Sequence, residues 1–93
     1  MVIGLLSLEI FLPFSHSLKE KRRVLNAFRD RFRKKYNIAI AELDFQDKWQ
    51  RAKVGIITLN SQKGCVDQVL QKILAEVEQG LDGEILRSEI DYF

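Results

Sequence analysis

The sequence predicts an α+β fold in which two helices cover one face of a four-stranded antiparallel sheet. The spacing of apolar residues divides the chain into six segments, which are predicted in order as strand, helix, strand, strand, helix and strand. The first and third strand segments are apolar on both faces, which is typical of strands at the centre of a sheet. A β-α-β-β-α-β order with right-handed crossovers gives a ferredoxin-like sandwich with strand order 4-1-3-2, and that order places the same two strands in the centre.

The first two predicted elements are a strand from Val2 to Leu12 and a long amphipathic helix. Pro13 ends the strand upstream of the helix, where a proline does no harm. Ser17 is a suitable N-cap, Glu20 completes an S-x-x-E capping box, and Asn37 suits the left-handed position after the helix. The helical spacing predicts a buried, aromatic-rich face made of Leu18, Val24, Leu25, Phe28, Phe32 and Tyr36.

The second half of the chain repeats this alternation with short connections. The predicted elements are a strand at Ile38–Phe45, a hairpin loop at Gln46–Gln50, a strand at Arg51–Leu59, a helix capped by Asn60 or Ser61 that runs to about Gln79, and a strand at Glu84–Phe93. Gly80 is the stop signal of the second helix. The last strand is the more polar one, so we expect it at an edge of the sheet.

Length and composition predict a single domain, 1–93, with a core that needs no disulfide. The single cysteine excludes an internal disulfide and suits a reducing cytoplasm. The apolar N-terminal stretch contains Glu9 and breaks at Pro13, which is not typical of a signal peptide. No apolar run is long enough to span a membrane. We therefore expect a cytoplasmic protein with no membrane partner.

The first helix is strongly basic. The stretch from Ser15 to Tyr36 holds nine of the fifteen Lys and Arg residues and two acids, which leaves six bases and eleven acids elsewhere. Cations in the first two turns oppose the helix dipole by a few tenths to ~1 kcal/mol each, and an anionic partner such as RNA would explain them. We predict an RNA- or anion-binding set made of Ser15, His16, Lys19, Lys21, Arg22, Arg23, Arg29 and Arg33. A solvated charged face without a ligand is the alternative.

The sheet face away from the helices is expected to be apolar. Because the central strands are apolar on both sides, this face carries either Val2, Leu6, Leu8 and Ile10 or Ile3, Leu5 and Phe11. Exposed apolar surface of that size marks an interface, and a second copy of the chain is the simplest partner. The prediction is a homodimer through the open sheet face. The alternative is that Tyr92 and Phe93 fold over part of it.

Residue patterns for catalysis, metals and cofactors are missing. One His and one Cys do not make a dedicated metal site, and Cys65 has no companion base. No Gly-rich phosphate loop is present. Trp49 and Phe45 flank the polar hairpin, where they can stack on a base or simply pack the hairpin. The sequence therefore predicts no cofactor, no metal and no enzymatic activity.

Two segments carry a family resemblance. The motif S-H-S-L-K-E-K-R at Ser15–Arg22, with Val24 and Leu25 after it, and the motif R-A-K-V-G-I at Arg51–Ile56 resemble the YlxP-like family of small bacterial proteins of unknown function. The similarity covers the whole chain and implies a ferredoxin-like, dimeric protein. Genes of that family often lie near those for ribosome maturation and translation initiation factors, which implies association with RNA or the ribosome. The resemblance carries over no catalytic residues.

The leading hypothesis is a non-enzymatic RNA- or ribosome-associated binding protein. In this hypothesis Lys19, Arg22, Arg29 and Arg33 contact phosphates, Lys21 and Arg23 support them, and Ser15 and His16 lie at the helix entry. The second hypothesis is a homodimeric interaction module that docks an acidic protein. The third is a small-ligand regulatory domain, which the missing Gly-rich loop after the first strand weakens.

Overall fold

The chain, described over residues 1–93 by a computed structural model, forms one sheet and two helices. Its elements are β1 (Val2–Phe11), α1 (Leu18–Lys35), β2 (Ala39–Asp44), β3 (Arg51–Asn60), α2 (Lys63–Gly80) and β4 (Glu84–Tyr92). All neighbouring strands are antiparallel, in the order β2-β3-β1-β4. The predicted ferredoxin-like topology and its 4-1-3-2 strand order are therefore confirmed.

The core lies between the sheet and the two helices. In the β1–β3 register Leu6 is opposite Ile56 and Leu8 is opposite Val54, and all four side chains are buried. Helix α1 adds Phe32, and α2 adds Val66, Leu70, Ile73 and Val77. Both helices are amphipathic, and neither is long and apolar enough to cross a membrane. Because the even-numbered positions of β1 are buried, the odd-numbered ones face the open side of the sheet.

Gly4 lets α2 approach the sheet closely. A Cβ at this position would lie 2.4 Å from Val66 Cγ1 and 2.8 Å from Leu70 Cδ1, and both side chains are buried. Any larger residue would push α2 outward, since packed interiors do not absorb extra atoms freely. Tyr92 is paired with Gly4 and bonds to Asp67 of α2. Tyr92 thus lies on the helix side and does not fold over the open face.

The open face of the sheet divides into an apolar half and a charged half. The apolar half, called here the apolar patch, comprises Ile3, Leu5, Leu43, Ile57 and Leu59. Leu59 is 55% exposed. In the charged half Arg51 pairs with Glu9 at 3.3 Å, and Arg87 pairs with Glu89. Phe93 pairs with Ile3 through two backbone hydrogen bonds but stays exposed, so it leaves the patch open.

Two predictions about the helix ends are wrong. Helix α1 ends at Lys35, its C-cap Tyr36 has an extended backbone, and Asn37 does not have a positive φ. The chain enters β2 almost at once, so an extended exit replaces the left-handed one. Helix α2 begins after Gln62, and no side chain caps it, so neither Asn60 nor Ser61 is the cap. Asn60 Oδ1 instead accepts from the Gln62 amide at 3.1 Å and shapes the turn before the helix.

Candidate nucleic-acid interface

Helix α1 begins with a capping box that differs in one bond from the usual form. Ser17 Oγ accepts from the Glu20 amide at 3.1 Å, as predicted. The Glu20 carboxylate accepts from the amide of His16 at 2.9 Å rather than from that of Ser17. Ser15 is buried and donates its hydroxyl to the Ser17 carbonyl at 3.2 Å. His16 and Ser15 were both predicted at the helix entry. His16 is exposed, whereas Ser15 is buried and is not available to a ligand.

Lys21 lies in the interior, which corrects its prediction as a surface contact. Its side chain is 1% exposed, and its Nζ lies 2.7 Å from Glu42 Oε2. The same Nζ donates to the carbonyls of Phe45 at 2.7 Å and of Arg51 at 3.2 Å. These three partners match the three protons of an ammonium group. Lys21 therefore fastens α1 to both sides of the β2–β3 hairpin and cannot reach a ligand at the surface.

Five cations of α1 remain free on the surface. All five are exposed, and none forms an ion pair; they are Lys19, Arg22, Arg23, Arg33 and Lys34, and together they are called here the basic surface. At 1.5 Å per residue the set runs about 22 Å along the helix. At about 100° per residue its members lie on the side of α1 opposite the buried Lys21 and Phe32. No acidic side chain forms an ion pair with these five cations, although Asp30 lies on the same side of α1, three and four positions before Arg33 and Lys34.

The other exposed cations of α1 are engaged within the protein. Lys35 bonds to Glu76 of α2. The Arg31 guanidinium lies 4.9 Å from the centroid of the Phe32 ring. The Lys35 contact ties α1 to α2, whereas Arg31 packs on a ring of its own helix. Arg33 and Lys34 lie in the last turn, where cations complement the helix dipole, so Lys19, Arg22 and Arg23 are the charges that lack a structural reason.

A bond network at the C-terminal end of α1 shifts two pKa values. The hydrogen bond from Lys35 holds the pKa of Glu76 below its ordinary value of 4.5, although burial opposes this. The hydrogen bond from Tyr36 at 3.2 Å lowers the pKa of Glu76 by a smaller amount. Burial, and then the bond to Glu76, raises the pKa of Tyr36 above 10.0. Near neutral pH both groups keep the form that ties α1 to α2.

The β2–β3 hairpin adopts an uncommon backbone conformation beside Lys21. Phe45 has φ 62°, in the left-handed region that bulky residues rarely adopt. Its amide donates to Asp44 Oδ1 at 2.7 Å, and its carbonyl accepts from Lys21. The Arg51 guanidinium lies 4.6 Å from the centroid of the Phe45 ring. Phe45 is therefore used in hairpin packing, whereas Trp49 is 55% exposed.

A small cavity opens beside the basic surface, between α1 and β2. Its volume is about 120 Å³, and it is lined by Arg22, Leu25, Asn26, Phe28, Arg29, Ile40, Ala41, Glu42 and Val54. The structure thus brings the predicted residues Arg22 and Arg29 to one cavity. Arg33 lies apart from them, at a hollow around the end of α1. The three arginines of the predicted binding set, Arg22, Arg29 and Arg33, therefore lie in two different surroundings.

Sequence reasoning missed the inward direction of Lys21 and the place of Glu42. A signal for the first was present, because Lys21 follows Leu18 by three positions and precedes Leu25 by four, on the apolar stripe. Glu42 comes two positions after Ile40 on β2, so both side chains lie on the face of the sheet that the helices cover. Only the fold brings α1 and β2 together, so their pairing has no signal in the local spacing.

The side chains that hold metals are not clustered in this chain. No group of three or more His, Cys, Asp or Glu residues lies close enough together to bind an ion. Cys65 is exposed and forms no disulfide. The basic surface and its cavity are therefore the features with the most definite ligand chemistry.

A family model described as "Protein of unknown function (DUF503)" matches residues 3–90. The chain belongs to the DUF503 family. A curated relative, "Uncharacterized protein YlxP" of Bacillus subtilis (strain 168), is 36% identical over 77 residues, which cover 83% of this chain and 84% of the relative. The expected membership of the YlxP-like group is thus confirmed. Among solved structures, the DUF503 chain is similar to the de novo designed protein Ferredog-Diesel, with 20% identity and a TM-score of 0.48 over 94% of this chain and 83% of the designed one.

Proposed function

We propose that this protein binds RNA through the basic surface, without catalytic turnover. The observation that carries the proposal is the set of five exposed cations on α1 that have no acidic partner. Three of them, Lys19, Arg22 and Arg23, lie in the first two turns, where positive charge opposes the helix dipole. A phosphate backbone supplies the counter-charge that the fold does not.

The geometry of the basic surface favours phosphate contacts over base readout. The stripe is about 22 Å long and lies on a convex helix. Lysine and arginine on such a surface bind phosphates with little dependence on sequence, and selectivity comes from the shape of the RNA. Ribosomal RNA is the class that the family's gene neighbourhood implies, so structured ribosomal fragments are the first ligands to test.

The test is RNA binding over a salt series with a variant that removes three cations. Arg22→Ala/Arg23→Ala/Arg33→Ala should bind more weakly, and its plot of log affinity against log salt should be shallower by about 0.7–0.9 for each lost phosphate contact. Lys48→Ala/Lys63→Ala/Lys72→Ala is the matched control, since it removes the same charge away from α1. Equal losses in both variants, or no binding of any RNA at low salt, would contradict the proposal.

A second candidate function, homodimerisation, is favoured by the apolar patch on the open sheet face. Leu59, Ile57 and Leu43 are large side chains, and each is at least 40% exposed. An isologous contact between two copies would bury these residues against themselves, as in many two-fold dimers. Sedimentation equilibrium distinguishes a dimer from a 10.9 kDa monomer. If the basic surface binds an acidic protein and not RNA, the complex with that protein should survive treatment with nuclease.

A further inference from the structure

The cavity between α1 and β2 combines an apolar floor with a polar mouth. Leu25, Phe28, Ile40 and Val54 supply the floor, and Arg22, Asn26, Arg29 and Glu42 supply the polar groups. Binding sites for aromatic rings share this pattern, in which apolar contacts hold the ring and a few polar atoms fix its orientation. The cavity therefore suits a flat group that carries both donors and acceptors on its edge.

The size of the cavity limits its ligand to a single small ring system. Sites for drug-sized molecules have volumes of about 300–1,000 Å³, whereas a buried apolar cavity of about 150 Å³ is enough to bind benzene. The cavity here has about 120 Å³ and is open on one side, so the rest of a ligand can lie outside it. A nucleobase attached to its sugar and phosphate meets these conditions.

Two charged side chains at the cavity, Arg29 and Glu42, can bond to a ligand. Arg29 Nε is shielded from solvent and donates no hydrogen bond, although it forms an ion pair with Asp30 Oδ1 at 3.7 Å. Glu42 Oε2 is shielded as well and lies 2.7 Å from Lys21 Nζ in an ion pair, and the Glu42 side chain is 20% exposed. The cavity thus presents one shielded donor without a hydrogen bond, Arg29 Nε, beside the partly exposed Glu42 carboxylate, and a shielded donor of this kind favours a ligand that satisfies it.

We propose that this cavity binds the base of an unpaired nucleotide and prefers guanine. The N1–H and 2-amino groups of guanine are adjacent donors for the Glu42 carboxylate, and O6 and N7 are acceptors for Arg29. Arg22 belongs both to the cavity and to the basic surface, so it lies where the attached phosphate would be. This inference rests on the proposed RNA binding and adds a base-specific contact to it, as is common where RNA bases are unstacked.

The experiment compares a uridine 12-mer with the same 12-mer that carries one central guanosine. Wild-type protein should bind the guanosine oligomer roughly 5- to 150-fold more tightly, the range for one well-formed base contact. In Asn26→Phe, whose ring would occupy the cavity, and in Arg29→Ala, the two oligomers should bind equally well. Gln68→Phe places the same ring on an exposed position of α2 and should keep the preference.

The outcomes separate this inference from the proposed function. Equal binding of both oligomers by the wild type, with a normal salt dependence, overturns the base pocket and leaves RNA binding intact. A preference that survives in both cavity variants overturns the pocket too. A preference for adenosine or cytidine at the central position overturns the assignment of guanine. No binding of either oligomer at low salt overturns both proposals.

Discussion

The Lys21 side chain carries its charge in the interior of the protein, with 1% of its surface exposed. Withdrawing an ammonium group from water costs several kcal/mol, and this cost is offset only when all its protons find partners. Here the partners are Glu42 and the carbonyls of Phe45 and Arg51. The benefit is geometric, because one atom fixes the position of α1 against an edge strand and its hairpin.

Replacing this lysine should be costly. Lys21→Met leaves the Glu42 carboxylate and two carbonyls without their partner, and breaking a buried pair in this way destabilises a protein by about 3–5 kcal/mol. Urea unfolding measures the change. Lys34→Met, on the exposed side of the same helix, should change the free energy of unfolding by less than about 0.5 kcal/mol. A Lys21→Met protein as stable as the Lys34→Met protein would show that the pair contributes little.

The sequence contains part of this residue-scale information. The position of Lys21 on the apolar stripe of α1 follows from its spacing to Leu18 and Leu25. Its partners are 21, 24 and 30 positions further along the chain, and no periodicity connects them. The basic character of the motif therefore predicts a surface role for every lysine, including the one that is buried.

At the scale of elements, the two helices are joined by a polar contact at one end. Lys35 and Tyr36 of α1 both bond to Glu76 of α2. The contact is partly open to solvent, with Glu76 28% and Lys35 50% exposed, so salt weakens it. It orients α1 while the apolar core supplies most of the attraction.

This contact predicts a pH dependence of stability. Because the folded pKa of Glu76 is depressed, its contribution is present above its ordinary value of 4.5 and is lost as the pH falls through the folded value. The raised pKa of Tyr36 has the opposite sense, so its contribution is present below 10.0 and is lost as the pH rises through the folded value. Glu76→Gln should therefore make the acid-side loss of stability shallower in urea unfolding.

Glu78→Gln is the control for this prediction. Glu78 is exposed on the same helix and forms no ion pair, so its replacement should leave the pH profile unchanged. If Glu76→Gln and wild type lose stability in parallel below pH 4.5, then the Lys35–Glu76–Tyr36 contact does not stabilise the fold.

The type and order of the elements follow from the sequence, and their ends do so less well. Long apolar periodicity fixes α1 and α2, and the Ser17 cap is confirmed by its bond to the Glu20 amide. The Asn37 and Asn60 predictions failed because a cap depends on the direction in which the chain must leave or enter a helix. That direction is set by the neighbouring strands, which local spacing does not describe.

At the scale of the whole molecule, the charged helix and the apolar patch lie on opposite sides of the sheet. The strand order was predictable because two strands are apolar on both faces, and a hairpin between the second and third strands then leaves one order with both apolar strands in the centre. The cavity was not predictable, since it depends on the separation between α1 and β2. The sequence therefore indicates which faces are used, and the packed structure indicates what fits between them.

Separate faces predict separable functions. Leu59→Lys places a charge in the apolar patch and should convert a dimer into a monomer, while a short RNA that one α1 helix can cover should bind as before. The Arg22/Arg23/Arg33 triple alanine variant should show the reverse, with weak RNA binding and an intact dimer. Gln68→Lys on α2 controls for the added charge. Sedimentation and RNA titration of each variant provide the test, and a Leu59→Lys protein that loses both properties would contradict it.

The shielding of Lys21 also has a chemical consequence. Reagents that methylate or acylate amines reach exposed lysines such as Lys19 and Lys34 directly, whereas the Lys21 amine becomes reactive only when α1 lifts away from the hairpin. Mass spectrometry of a timed labelling reaction can follow this one amine against its exposed neighbours. Its labelling rate then reports how often α1 opens in a protein of unchanged sequence.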